Sequence, residues 1–130
     1  PSARVSAQVL KRGKQLALEG DAAKDVPACT ACHGTKLTGV QAHVPGLLGL
    51  PLDYLNAQLG AWQTHQRKAR QPDCMKEVVA RLQSEDLVAV ATWLSTQNMP
   101  TDTAPASKVS TPLKASWQCG SAPELSKVQP

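Results

Sequence analysis

Five consecutive residues, Cys29-Thr30-Ala31-Cys32-His33, constrain this chain more than anything else in it. The pattern C-x-x-C-H is the attachment sequence of a c-type haem. Its spacing follows from the chemistry. Two thiols add to the two vinyl groups along one edge of a porphyrin, and two intervening residues let one helical turn span that edge. The next side chain, His33, projects under the ring centre and offers an imidazole nitrogen to iron. A chain so marked is expected to fold around one covalent haem c, with Cys29 and Cys32 as thioether residues and His33 as a metal ligand.

Two rival uses of C-x-x-C fare worse. A zinc site needs two more ligands at similar spacing. The other cysteines, Cys74 and Cys119, are isolated, and His43 and His65 form no closely spaced pair. A thioredoxin-type redox pair needs a βαβ pattern around the motif, and none is visible.

At 130 residues the chain is long enough for one domain. Only three Trp and one Tyr are present, and no Phe, so side chains alone would make a thin interior. A large flat cofactor supplies what they lack. The net charge of +4 is mild. It biases docking towards an acidic surface at most. The basic residues do not form a long run interleaved with aromatics, which argues against nucleic acid. No apolar run reaches the length of a transmembrane segment. The first residues read as a polar helix, as in a processed chain. Attachment of c-type haem takes place outside the cytoplasm, so a periplasmic or other extracytoplasmic location is expected, one in which disulfides persist.

The rest reads as helices and loops. Residues 3–19 carry an apolar stripe of Val5, Val9 and Leu16 ending at Gly20. Gly13 inside it implies either a close neighbouring backbone or a weak helix. Gly34 follows His33, where a bulky side chain would obstruct the turn. Residues 35–50 form a glycine-punctuated apolar loop that includes Pro45 and Leu47 and suits a flat partner. The Pro45 carbonyl is a candidate acceptor for the second N–H of His33. Residues 51–65 are the clearest helix, with Leu52, Leu55, Leu59 and Trp62 at helical spacing and Tyr54 beside them. A basic stretch, 66–74, follows; Arg67 and Arg70 are both candidates to meet a haem propionate. Residues 75–83 have helical spacing again. Ser84 reads as the N-cap of a last helix, with Glu85 and Asp86 in its first turn. Residues 1–97 thus make a haem domain. Residues 98–130, rich in Pro, Ser and Thr, form an extended tail, either disordered or laid across the domain. For the second axial position the chain offers Met75, Met99, His43 and His65; a thioether there would raise the reduction potential.

The ordered set C-x-x-C-H-G, P-G-L, Y-L-x-x-Q-L, a basic loop with a methionine, and S-x-E-D-L resembles the class I c-type cytochromes over about residues 5–97. It is similar above all to the single-haem halves of periplasmic di-haem carriers and their mono-haem relatives. The resemblance implies an all-α fold of four to five helices around one haem. It implies Pro45 as the proline whose carbonyl meets His33, Tyr54-Leu55 and Gln58-Leu59 as the central-helix signature, and Met75 as the distal metal ligand. Such relatives usually carry Gly-x-Arg where this chain has His65-Gln66-Arg67. They also include proteins with two haem motifs, whereas here the tail occupies the position of a second half. Cys74, adjacent to Met75, is expected to pair with Cys119 and tie the tail over the methionine loop; the alternative is two unpaired thiols, with Cys74 buried.

The function so implied is one-electron transfer between a donor and an acceptor protein, not enzymatic chemistry. A second reading is the electron-acceptor subunit of a dehydrogenase, and a third is a haem enzyme or gas sensor with an open sixth site.

Overall fold

The computed structural model describes residues 6–41, 43–114 and 116–126. Among them are five α-helices and no strand. Helix α1 (Ala7–Leu18) starts where Ser6 accepts a hydrogen bond from the Val9 N–H at 3.1 Å. The expected first residues of this helix, 3–5, lie outside the described part. Helix α2 (Cys29–His33) is the haem motif itself. Helices α3 (Leu52–Gln63), α4 (Cys74–Ala80) and α5 (Ser84–Ser95) complete the set.

Helix α5 crosses α1 at close range, and Gly13 is the reason it can. A Cβ at Gly13 would collide with the Ala89 carbonyl oxygen and press on Trp93 Cβ. The glycine therefore marks a close approach of two backbones rather than a weak helix. Beside this crossing, Arg12 bridges Asp86 and Asp21, both at 2.9 Å, and Lys24 reaches Asp86 at 3.3 Å. Asp86 also accepts from the Gln83 N–H at 3.1 Å. This corrects the expected cap of α5. Gln83 occupies the N-cap position, and Ser84, the first helical residue, accepts from the Gln63 side chain instead. The Asp86 carboxylate, three residues in, reaches back to the Gln83 N–H, the return half of a capping box.

The core has two parts. Leu16, Ala17, Leu37, Leu55, Val90, Ala91 and Leu94 form the first, between α1, α3 and α5. The second is made largely by the tail: Val109, Leu113, Trp117, Cys119, Ala122 and Leu125 gather on Val40. The tail is thus laid across the domain. It pairs with the long loop through Ala106 N–H to Gly39 O and Gln41 N–H to Ala106 O, and it folds back on itself through Leu113 N–H to Leu125 O. Arg81, just past α4, stacks on the Trp117 ring and pairs with Asp25 at 3.1 Å. Cys74 and Cys119 form a disulfide across 45 residues, with Cα atoms 5.3 Å apart.

Candidate functional site

Helix α2 carries both thiols and the imidazole. It ends abruptly because Gly34 adopts φ 92° and ψ 152°, a region only glycine enters without strain. The chain then turns, Gly39 N–H closes onto His33 O, and the loop returns to bring Pro45 under the histidine. His33 Nδ1 lies 2.7 Å from the Pro45 carbonyl oxygen. A carbonyl only accepts, so Nδ1 carries the proton and Nε2 is left with its lone pair. His33 is only 8 % exposed, and Nε2 has no hydrogen-bond partner among the described residues. No fully buried polar side-chain atom there lacks a partner, so Nε2 is not completely sealed off. Burial holds the His33 pKa below its ordinary value, against the opposing effect of the Pro45 hydrogen bond. The ring is a neutral donor, as metal ligation requires.

Cys29 and Cys32 are unpaired. Burial, with a smaller contribution from Cys32, pushes the Cys29 thiol up to about 12, and burial pushes Cys32 up to about 11. Both stay protonated at neutral pH. That is the reverse of a thioredoxin-like pair, whose attacking thiol is acidified. Cys29 packs against the first core cluster and Cys32 against the second. Around the first cluster Leu47, Leu48, Leu50, Leu52, Leu59 and Leu82 are only partly buried. An open Nε2, two free thiols on one turn and a margin of incompletely buried leucines fit a c-type haem.

The other expected residues are placed as follows. Met75 is half-buried in the first turn of α4. Met99 is 47 % exposed and packs its sulfur against Gly49. Tyr54 is 49 % exposed, away from the core. Arg67 lies over the Trp62 ring at 4.6 Å, and both Arg67 and Arg70 are exposed. His43 and His65 are exposed. Arg67 also lines a basic cavity of about 260 Å³ with His65, Lys68, Gln71 and Lys76. A larger cavity, about 480 Å³, lies behind α2 between Pro27, Thr30, Pro112 and Trp117. It includes neither His33 nor Met75 and is not the haem site.

One residue escaped the reading of the sequence. Asp73, 3 % exposed, caps α4 and gathers donors from two other segments. Its signal was an Asp immediately before a helically spaced run.

Fold and site together define a helical domain whose two free cysteines and adjacent histidine suit a covalently attached haem. The cytochrome c family model matches residues 10–98, and the chain belongs to that family. It is 39 % identical over 95 residues to a thiosulfate dehydrogenase electron acceptor of Thiomonas intermedia, a match covering 72 % of this chain and 44 % of that protein. It is 33 % identical to cytochrome c-554(548) of Halomonas halodenitrificans, over 60 % of this chain and 98 % of that one. Among solved structures, thiosulfate dehydrogenase from Marichromatium purpuratum superposes with a TM-score of 0.66 at 37 % identity, covering 75 % of this chain and 21 % of the other. Reduced cytochrome c4 from Pseudomonas stutzeri gives 0.63 at 26 % identity, covering 75 % and 53 %. The chain therefore spans less than half the length of the thiosulfate dehydrogenase electron acceptors it matches. It is an electron-transfer domain with a covalent c-type haem. No helix among the described residues is long and apolar enough to cross a membrane.

Proposed function

We propose that this chain is a periplasmic one-electron carrier, without enzymatic chemistry of its own, whose axial ligands are His33 and Met75. When bound, the haem supplies a ferric/ferrous couple between the chain's donor and acceptor proteins. The chain's residues do the rest. Cys29 and Cys32 anchor the ring edge, and the Pro45 carbonyl keeps His33 in one tautomer and one orientation. The leucines of the first cluster exclude water and so favour the less charged state. The single observation that carries the reading is the 2.7 Å Nδ1···O contact of His33 and Pro45, which leaves Nε2 free beside two unpaired thiols.

Met75 is the better distal candidate because it is half-buried on a helix tied to the Cys32 side of the core, whereas Met99 is exposed and engaged with Gly49. Both arginines are exposed, and Arg67, stacked over Trp62, is the better propionate partner of the two. We treat residues 98–126 as a strap on the haem domain. Spectra of the oxidised protein test the ligand set. The weak red charge-transfer band of iron–methionine ligation should disappear in Met75→Ala and persist in Met99→Ala. The opposite pattern overturns the assignment, and absence of the band in the wild type favours an open sixth site.

The two relatives named thiosulfate dehydrogenase electron acceptor favour a more specific role. In it this chain takes electrons from a dehydrogenase acting on thiosulfate. Mixing the oxidised chain with such an enzyme and thiosulfate should reduce it within the enzyme's turnover time. Reduction no faster than without enzyme would leave only the general carrier role.

A further inference from the structure

We infer that Asp73 is a positioning residue for the distal ligand, and that with Trp62 and the Cys74–Cys119 bridge it holds Met75 in place. The inference rests on the reading of Met75 as that ligand. Helix α4 has only seven residues. A helix so short does not hold itself together in water, so its position is set by what grips its ends. The grip is concentrated in the two residues before Met75.

Asp73 Oδ1 accepts from the Lys76 N–H at 3.1 Å and Oδ2 from the Ala69 N–H at 2.8 Å. Trp62 Nε1 donates to both oxygens at 3.2 Å. One carboxylate thus ties the C-terminal part of α3, the basic loop and the start of α4. Cys74, next in sequence, is bonded to Cys119 and so to the tail core. Gly120 adds a hydrogen bond to Pro72 O at 2.8 Å, and a Cβ there would collide with Gln71 O. Residues 72, 73 and 74 are therefore each fastened to a different neighbour, and Met75 follows directly.

A plain helix cap does not account for Asp73. A cap works with a serine or threonine at the surface. Burying a carboxylate is costly unless its oxygens are fully satisfied. Here only neutral N–H donors satisfy it, and no cation lies within ion-pair distance among the described residues. The arrangement is suited to fixing a geometry.

The test uses the holoprotein with its disulfide intact, verified by mass. Asp73→Ser keeps the cap on α4 but cannot reach Trp62 or Ala69. Trp62→Phe removes one donor and leaves the ring under Arg67. The readouts are the red iron–methionine band and the rate of carbon monoxide uptake by the reduced protein. Expected are a weakened band in both variants and an uptake in Asp73→Ser about tenfold faster than wild type, since uptake scales with the fraction of sites open. Trp62→Phe should change in the same direction by less. Both variants keeping the wild-type band and uptake rate, even with a lower unfolding temperature, would overturn the inference and leave Asp73 a structural residue. Met75→Ala is read alongside: a band that survives there refutes the ligand reading itself.

Discussion

His65 is held at φ 65°, in the left-handed region that glycine enters without strain. The turn out of α3 thus carries a side chain there, at a steric penalty of about 1 kcal/mol. His65→Gly should stabilise the holoprotein by about 0.5 kcal/mol, part of the relief being offset by the greater freedom of glycine in the unfolded chain. Denaturant unfolding measures it, and a loss of stability would mean that the imidazole contributes more than it strains. Asp86 is the second residue with a measurable signature. Burial alone would raise its pKa, but hydrogen bonds from Arg12, the Gln83 N–H and Lys24 more than offset this and hold it below its ordinary value. Asp21 is held low chiefly by its hydrogen bond from Arg12. A carboxyl with a depressed folded pKa binds protons less readily in the folded state than in the unfolded one. Its contribution is present above the ordinary value near 3.8 and is lost as pH falls through the folded value. Asp86→Asn should therefore flatten the decline of stability below about pH 4. Acid titration of unfolding in both proteins checks it; parallel curves would place the acid sensitivity elsewhere.

Between elements, the crossing of α1 and α5 sets the frame. Gly13→Ala would drive a methyl into the Ala89 carbonyl, so the helices must separate or bend. Overpacking of this kind costs about 1–3 kcal/mol. Thermal unfolding of the holoprotein should show it, and an unchanged midpoint would mean that the crossing yields cheaply. The helices themselves were legible in the sequence, because Leu52, Leu55 and Leu59 recur on one face and glycine or proline flank them. The haem motif was legible because covalent chemistry fixes its spacing. The cap of α5 was misread because Ser84 outranks Gln83 in intrinsic preference, and only the fold reveals Asp86 reaching back. Asp73 was overlooked for a related reason: its partners Trp62 and Ala69 lie on other segments. The order of the tail was left open by the sequence. Val109, Leu113 and Trp117 stand four apart, but Ser110-Thr111-Pro112 interrupts any helix there, and the cluster they join is completed by Val40 from the distant loop.

At the scale of the molecule, the tail supplies a second core and the bridge closes it. In the chain-entropy account a closure spanning 45 residues is worth about 4 kcal/mol, an upper figure for what the cross-link contributes. Cys119→Ser should lower the stability of the holoprotein by about 2–4 kcal/mol. Equilibrium unfolding of the variant tests this; a loss under about 1 kcal/mol would mean that tail packing alone restrains the unfolded chain as well. The bridge also sits in a chain with four cysteines, which can be fully paired in three ways. All three consume Cys29 and Cys32, two in bonds to Cys74 and Cys119 and the third in a bond to each other. Once the thioethers exist, only one combination is left. The order of maturation then decides the pairing: a chain loaded first has a single partner for each remaining thiol, while a chain oxidised first must have its Cys29 and Cys32 thiols released by exchange before it can take its cofactor.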